Sequence, residues 1–320
     1  MIKFTLRRLL ITFPQLVLLS VLVFFMGSLM PGDALSGMID PSIPAEAIEA
    51  RREALGLNNP WYIQYRDWVV AMFQGDFGQS IFHQRPVMDV IGDRLMNTIW
   101  LSLFSVILIY VIGIPLGLIS GRYKDSMLDS VITGYTYLGF ATPTFVFGLV
   151  LLWIFGYHFG TFPTNGSVGA GLEAGSVQYI LSKLNHLILP SFSIALIGLV
   201  GTVQYLRSGV IEAQQKDYVM LARAKGVKQV SLYIKHIFRN AIIPIAAFFG
   251  YELVGLLGGS IFIEWVYAYP GMGALFLESI QTRDFSVANI LILFYGFLTI
   301  VGALLSDIIL SIVDPRIRIK

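Results

Sequence analysis

The sequence contains no cysteine and carries little charge. Because none of the 320 residues is Cys, disulfide frameworks, thiolate metal sites and cysteine nucleophiles are excluded. Charged residues make up 13% of the chain and apolar residues 56%, with a mean hydropathy of +0.72. A soluble domain has about 25% charged residues. A surface so poor in charge predicts an integral membrane protein, and the apolar content excludes a disordered chain.

Nucleotide and metal motifs are also missing. No Lys is followed by Ser or Thr, so the phosphate loop G-x-x-x-x-G-K-[ST] cannot occur. The four histidines are dispersed and lack the spacing of metal ligands. The net charge of +2 is too small to suggest a nucleic-acid partner. We therefore expect no catalytic residue, no metal site and no cofactor in this chain, and any ATP hydrolysis must come from a partner protein.

What the sequence does contain is a series of long apolar runs. About 20 apolar residues cross a bilayer as a helix, and six runs of this order occur. The sequence therefore predicts an all-α, polytopic membrane protein with six transmembrane helices. The runs cover residues 9–30, 95–121, 130–155, 184–206, 240–263 and 285–306, and the last of them continues to about residue 313.

The distribution of Lys and Arg predicts that both termini are cytoplasmic. With the N-terminus inside, the inner segments hold fifteen Lys and Arg residues, whereas the short outer loops hold only Lys183 and Arg283. Positive charges in short loops favour the cytoplasmic side. The chain then divides into a tail with the first helix (1–30), an extracytoplasmic loop (31–94) and a core of five transmembrane helices (95–320).

The outer loop carries helix signals and a group of aromatic residues. Pro44, followed by AEAIEARREALG, is typical of a helix with proline in its first turn and Gly56 at its end. Four aromatic residues further on are spaced like one face of a second helix. They form either an aromatic belt at the membrane interface or a receptor-docking surface. These residues are Trp61, Tyr62, Tyr65 and Trp68.

The basic inner loop, residues 207–239, contains a short predicted helix. Asp217 is a candidate N-cap, YVMLARAK fills two turns, and Gly226 can end the helix in a left-handed conformation. The small side chains of Ala222 and Ala224 would let another protein approach closely. The alternative is a basic linker lying on anionic lipid, which explains the cations but not the pattern of Ala and Gly.

Polar and small residues inside the apolar runs are the other candidate sites. Glu252 lies in the fifth run, where it either lines a substrate path or accepts a hydrogen bond from a neighbouring helix. Gly113, Gly117 and Gly121 fall on nearly one face of the second run. They predict close helix packing, either within the chain or against a second subunit. Pro115 in the second run and Pro143 in the third run both predict kinks.

These segments together resemble one family of transport proteins. The stretch DYVMLARAKGVKQVSLYIKHIFRNAIIP resembles the cytoplasmic coupling loop of ABC-importer permeases, in the form found in the peptide/nickel family. The outer loop, the stretch GGSIFIEWVYAYPGMGALFLESIQTRDF and the terminal DPRIR resemble that family's B-type subunit. The general loop pattern of EAA, three residues, Gly, nine residues and I-x-L-P is not met, because only Lys225 separates Ala222-Arg223-Ala224 from Gly226. The peptide branch departs from the pattern in this way.

The resemblance implies a permease subunit of an ATP-driven importer in the bacterial cell membrane, with the type I importer fold. The implied partners are a second similar permease, two cytoplasmic ABC ATPases, an extracytoplasmic substrate-binding protein and membrane lipid. Oligopeptides are the expected substrates; dipeptides, nickel complexes and glutathione are alternatives. An ion-coupled secondary transporter and a channel or structural membrane protein are the competing classes. The residues implied to contact the ATPases are Asp217, Tyr218, Ala222, Arg223, Ala224, Lys225 and Gly226.

Overall fold

The structure, a computed structural model, describes residues 2–29, 44–54, 56–258 and 260–314. These ranges are helical apart from the connections, of which residues 159–176 form the longest, and one isolated bridge between Gln79 and Pro86, so the predicted all-α class is confirmed. Two π-helical turns, Leu152–His158 and Leu232–Ile237, continue the sixth and ninth helices. In chain order the helices are α1 (Ile2–Leu29), α2 (Ala45–Ala54), α3 (Trp61–Phe73), α4 (Val87–Arg122), α5 (Met127–Ala141), α6 (Thr144–Leu151), α7 (Val177–Gln214), α8 (Asp217–Ala224), α9 (Gln229–Ser231), α10 (Phe238–Ala241), α11 (Ile243–Leu257), α12 (Ile261–Val266), α13 (Met272–Gln281) and α14 (Phe285–Val313).

Each apolar run of the sequence corresponds to helix in the structure. Among the residues that the structure describes, five helical stretches are long and apolar enough to cross a membrane, and α5 with α6 and its π-turn makes a sixth if this bent pair is counted as one span. The helices α4 and α7 are longer than the runs that predict them, because polar turns extend both helices past the apolar part. The five stretches are Leu10–Ser28, Val87–Arg122, Val177–Gln214, Ile243–Val266 and Phe285–Val313.

The third span is broken rather than kinked. Met127–Ala141 and Thr144–His158 differ in direction by 107°. Between them Thr142 is extended (φ −106°, ψ 124°), and Pro143 is also non-helical (φ −60°, ψ 140°). A residue before proline is disfavoured in the α conformation, so α5 ends at that point. The proline signal therefore gave the right position but underestimated the change of direction.

One compact unit comprises Met1–Asn97 and Gly271–Ile300. Its buried core combines apolar residues from the first turns of α4 with residues of α13 and α14. The buried carboxylate of Asp284 accepts hydrogen bonds from the Ser80 hydroxyl at 2.5 Å and from the Phe82 amide at 3.2 Å. This carboxylate therefore fixes the loop before α4 to the turn before α14.

The aromatic face of α3 packs against α1 within this unit. The rings of Tyr65 and Trp68 lie 5.6 and 5.3 Å from the ring of Phe24. Trp61 and Tyr62, one turn earlier, stay exposed. Trp61 also meets α1, because its ring lies 6.0 Å from the ring of Phe25, and the two roles predicted for the aromatic residues stay predictions.

The other unit comprises Thr98–Pro270 and Val301–Lys320, and α7 is its central helix. Of the residues in the most apolar window of α7, 61% are buried, and α5, α6, α8, α10, α11 and α12 all pack against this helix. The Ser176 hydroxyl caps the start of α7 by accepting a hydrogen bond from the Tyr179 amide at 3.1 Å. Because α8 follows α7 after only two residues, the buried helix determines where the basic inner loop begins.

Candidate functional site

The short helix predicted in the inner loop is present as α8, Asp217–Ala224. Lys216 occupies the N-cap position and makes no side-chain cap, so Asp217 is not the cap but the first helical residue. Its carboxylate still favours the positive end of the helix dipole. The Lys216 ammonium lies 2.8 Å from the Glu212 carboxylate, and this hydrogen bond raises the pKa of Lys216 above its usual value.

The inner face of α8 is part of the protein's own core. Val219 is fully buried and Ala222 is 7% exposed, one helical turn apart. Both belong to an apolar cluster with residues of α7, the π-turn after α9, α10 and α11. Ala222 therefore faces this chain, not a partner, and a bulky side chain at this position would disturb the chain's own packing.

The outer face of α8 is exposed and apolar. Met220 and Leu221 are 57% and 58% exposed, and Tyr218 is exposed beside them. Arg223, Ala224 and Lys225 are also exposed, as their predicted contact role requires. The sequence analysis missed Met220 and Leu221. Their signal was available, because Val219 and Ala222 share one face at helical spacing and leave the other two apolar residues outside.

Gly226 ends α8 in the left-handed region, with φ +75°. The Gly226 amide donates to the Arg223 carbonyl at 3.0 Å, and the Val227 amide donates to the Ala222 carbonyl at 3.2 Å. These bonds satisfy carbonyls that the end of a helix would otherwise leave unpaired. An added Cβ at Gly226 would meet nothing within 4 Å, so conformation and not space requires glycine.

The glycine face of α4 packs against α7 of the same chain. A Cβ at Gly113 would lie 3.1 Å from the Cγ2 of Thr202. A Cβ at Gly117 would lie 2.8 Å from the Cβ of Leu206, and one at Gly121 would lie 2.7 Å from the Cβ of Val210. Both series advance four residues at a time, so the two backbones approach closely along two helical turns. Of the two predicted packing partners, the structure places these glycines against the chain itself.

An ion pair near the start of α5 was not identified from the sequence. The Arg207 guanidinium donates two hydrogen bonds of 2.7 Å to the two carboxylate oxygens of Asp129. Asp129 also accepts from the Ser120 hydroxyl at 2.5 Å and the Asp125 amide at 2.9 Å. The pair joins the ends of α4 and α5 to α7. Sequence spacing gave no signal, because the two charges are 78 residues apart.

Glu252 accepts a hydrogen bond from a neighbouring helix, as one of its two predicted roles requires, while the role in a substrate path stays a prediction. Its carboxylate accepts a hydrogen bond from the Tyr110 hydroxyl of α4. The same side chain lines a cavity of about 350 Å³ among α4, α7 and α11. The sequence shows that an acidic residue lies in an apolar helix. The contact with Tyr110 and the cavity could not be predicted, because they depend on how α4, α7 and α11 pack together.

Two protein families match the chain. The family described as "Binding-protein-dependent transport system inner membrane component" matches residues 113–319. Residues 1–102 match its N-terminal companion, "Binding-prot-dependent transport system membrane comp, N-term". Together the two matches include α8, Glu252 and five of the six predicted spans in full, whereas residues 103–112 of the second span lie outside both.

Individual relatives agree with the family match. The chain is 38% identical over 320 residues to the oligopeptide transport system permease protein AppB of Bacillus subtilis, covering 99% of this chain and all of the relative. It is 32% identical to the glutathione transport system permease protein GsiC of Escherichia coli K12, over the whole of both chains. A solved structure of the MetNI methionine ABC transporter has the same fold, with a TM-score of 0.56 at 14% identity, covering 71% of this chain and 97% of the other.

These matches confirm the family, the importer-permease fold and the multi-pass membrane location predicted from the sequence. The relatives at 38% and 32% identity are permease subunits, and the family description places the protein in the inner membrane. The chain belongs to the family of binding-protein-dependent transport system inner membrane components, as a permease subunit of the ABC importer type.

Proposed function

We propose that this chain is half of the translocation pathway of an ATP-driven importer of oligopeptides, and that α8 is the helix on which the ATPases act. In this function it pairs with a second similar permease, two cytoplasmic ATPases bind below, and an extracytoplasmic binding protein delivers the substrate. The observation that carries the proposal is the two-sided character of α8. Val219 and Ala222 bury its inner face, whereas Met220 and Leu221 expose an apolar outer face.

A helix with one buried and one exposed face, such as α8, can transmit a movement of the ATPases to the membrane helices. The inner face of α8 belongs to one apolar core with residues of α7 and α11. A force on its outer face therefore moves α8 together with α7 and α11 and does not separate it from them. An exposed apolar pair among charged neighbours is typical of a surface that a partner covers. Tyr218, Arg223, Ala224 and Lys225 border this pair and extend the contact surface.

The oligopeptide substrate follows from the relatives. The permease at 38% identity is named for oligopeptides and the one at 32% for glutathione, itself a short peptide. Peptides are therefore the substrate class that both support, and glutathione is the second candidate. Neither relative is named for nickel, which makes nickel complexes and a dipeptide-restricted permease weaker alternatives.

The orientation belongs to the same proposal. If both termini are cytoplasmic, α8 lies on the ATP side of the membrane and the α2–α3 segment lies outside, where a binding protein delivers substrate. Purification in mild detergent separates this assembly from an ion-coupled transporter or a channel. ATPase subunits should be recovered with the tagged chain, and their absence from a stable, transport-competent preparation would exclude the importer.

The contact role of α8 is tested by Leu221→Glu in the reconstituted complex. Because Leu221 is exposed, the charge should leave the fold of the isolated chain intact. It should lower ATPase co-purification, transport and substrate-stimulated ATP hydrolysis together. The matched control is the double variant Lys228→Gln, Lys235→Gln, which removes two exposed charges from the same loop but outside this contact surface. Normal transport by Leu221→Glu together with a loss in the lysine variant would identify a lipid-binding linker and overturn the proposal.

A further inference from the structure

The cavity beside Glu252 has one charged residue in an otherwise uncharged wall. Gly198, Gly201 and Tyr205 of α7 line the cavity together with Phe248 and Tyr251 of α11. The rings of Tyr205 and Phe248 stack at 5.5 Å with an interplanar angle of 26°. A volume of about 350 Å³ lies in the range of ligand pockets and exceeds what one or two waters fill.

Glu252 lacks a cationic partner in this cavity. It is the tenth of the fifteen residues of α11, an otherwise apolar helix. Its carboxylate accepts the hydrogen bond from Tyr110, and no Lys, Arg or His pairs with it in the part of the chain that the structure describes. A carboxylate inside a membrane helix is costly unless it is paired or hydrated, and one phenol neutralises none of its charge.

The cavity has the chemistry that recognises a primary ammonium group. An ammonium carries three donors and a compact positive charge, which a carboxylate complements directly. Tyr205, Phe248 and Tyr251 also line the cavity, and aromatic rings attract a cation through cation–π interactions. Gly201 leaves space for a ligand, because a Cβ there would meet nothing within 4 Å. Apart from Tyr110, Thr202 and Glu252, the lining residues are glycine, apolar or aromatic, as the stem of a peptide residue requires.

We infer that the Glu252 cavity binds the ammonium group of a transported peptide as it crosses the membrane. The assignment rests on the proposed import of peptides and names a charge-recognition site within the pathway. Glu252 holds the ammonium, Tyr110 orients the carboxylate from α4, and the three aromatic rings cover the remaining faces of the charge. The ammonium comes from the amino terminus of the peptide or from a lysine side chain, and both present the same group.

Transport by the reconstituted complex with three peptides tests this inference. The peptides are Ala-Ala-Ala-Ala, its N-acetyl form, and N-acetyl-Ala-Ala-Lys-Ala. Each peptide is supplied together with a saturating concentration of the binding protein, and the affinity of the binding protein for each peptide is measured separately. Glu252→Gln keeps the shape and the hydrogen bond but removes the charge. It should raise the half-saturating concentration about tenfold or more for the peptides that carry an ammonium, and leave the acetylated tetra-alanine unchanged. An effect on the free amino terminus alone, or on lysine alone, identifies the source.

Three further variants separate recognition from a structural role. Glu252→Asp should retain the preference for an ammonium, and Tyr110→Phe should weaken it less than Glu252→Gln does. Gly201→Leu should fill the cavity and reduce transport of all three peptides without loss of the assembled complex. If Glu252→Gln and Tyr110→Phe impair all three peptides equally, the pair is a structural clasp and the inference fails. Unchanged kinetics in Glu252→Gln would also overturn it, whereas failure of the wild-type complex to transport any peptide would instead overturn the proposed function.

Discussion

At the scale of single residues, the contact between α4 and α7 depends on the absence of side chains. Gly113, Gly117 and Gly121 each leave room for one α7 residue, so the two backbones lie closer than any larger residue would permit. Glycine inside a helix is unfavourable by about 1 kcal/mol relative to alanine, which indicates that the close approach more than offsets this loss.

Gly117→Ala should therefore destabilise the protein despite the better helix propensity of alanine. The new Cβ would lie 2.8 Å from the Cβ of Leu206 and 3.1 Å from the carbonyl oxygen of Val203. Overpacking of this kind costs about 1–3 kcal/mol. Thermal unfolding of the purified protein in detergent measures the effect. Gly134→Ala in α5 is the control: its Cβ meets nothing within 4 Å, and the variant should be neutral or slightly more stable. Equal midpoints for the two variants would contradict the packing argument.

Asp129→Asn should be more costly than removal of a surface carboxylate. Asp129 is 4% and Arg207 20% exposed in the side chain, so loss of the carboxylate leaves a poorly hydrated guanidinium. Breaking such a pair costs about 3–5 kcal/mol, and the partial exposure of Arg207 favours the lower end. Asp93→Asn removes the partner of Arg85 in a pair that is more than half exposed, and should cost about 0–1 kcal/mol. Chemical unfolding of both variants checks the difference, and a similar small loss in each would show that the Asp129 pair is not stabilising.

At the scale of elements, α8 is defined by its end as much as by its face. Gly226 adopts φ +75°, a conformation that β-branched residues strongly disfavour. The two hydrogen bonds at this end set the direction in which the chain leaves α8 towards α9.

Gly226→Val should lower coupled ATPase activity in the reconstituted complex, because about 1 kcal/mol or more of backbone strain would distort the end of α8. Gly226→Asn should stay close to wild type, since asparagine tolerates the left-handed region. Both side chains have open space, so a difference between the two variants reports conformation and not a clash. Equal activities would mean that the end of α8 is not held in the left-handed conformation during transport.

The elements also show what could be predicted from the sequence. Hydropathy located the five candidate spans and the bent pair of α5 and α6, and local signals located α2, α8 and the left-handed Gly226, because each depends on residues close together in the chain. The direction change at Thr142 and Pro143 was underestimated, since apolar composition is the same in a straight and a broken span. The burial of Ala222 and the partners of Asp129 and Glu252 depend on helices far apart in sequence, for which one chain gives no pattern.

At the scale of the whole molecule, orientation is the property on which the proposed assembly depends. The cysteine-free sequence makes it directly testable with single cysteines. Gln74→Cys, at the exposed end of α3, should react with an impermeant thiol reagent in intact cells, whereas Lys228→Cys after α8 should react only after permeabilisation. The untouched parent chain gives the background for both. Labelling of Lys228→Cys but not Gln74→Cys in intact cells would reverse the topology and remove α8 from the ATP side.

The burial of Val219 and Ala222 also has a consequence for how the transporter assembles. Because the inner face of α8 is covered by its own chain, α8 is folded before any partner arrives. Its docking surface is preorganised, so association with an ATPase loses little conformational entropy beyond that of the exposed side chains. Complex formation can then proceed as rigid-body docking, with a rate set by diffusion and orientation and not by a coupled folding step. Subunits inserted singly into the membrane would thus be competent for assembly as soon as they have folded.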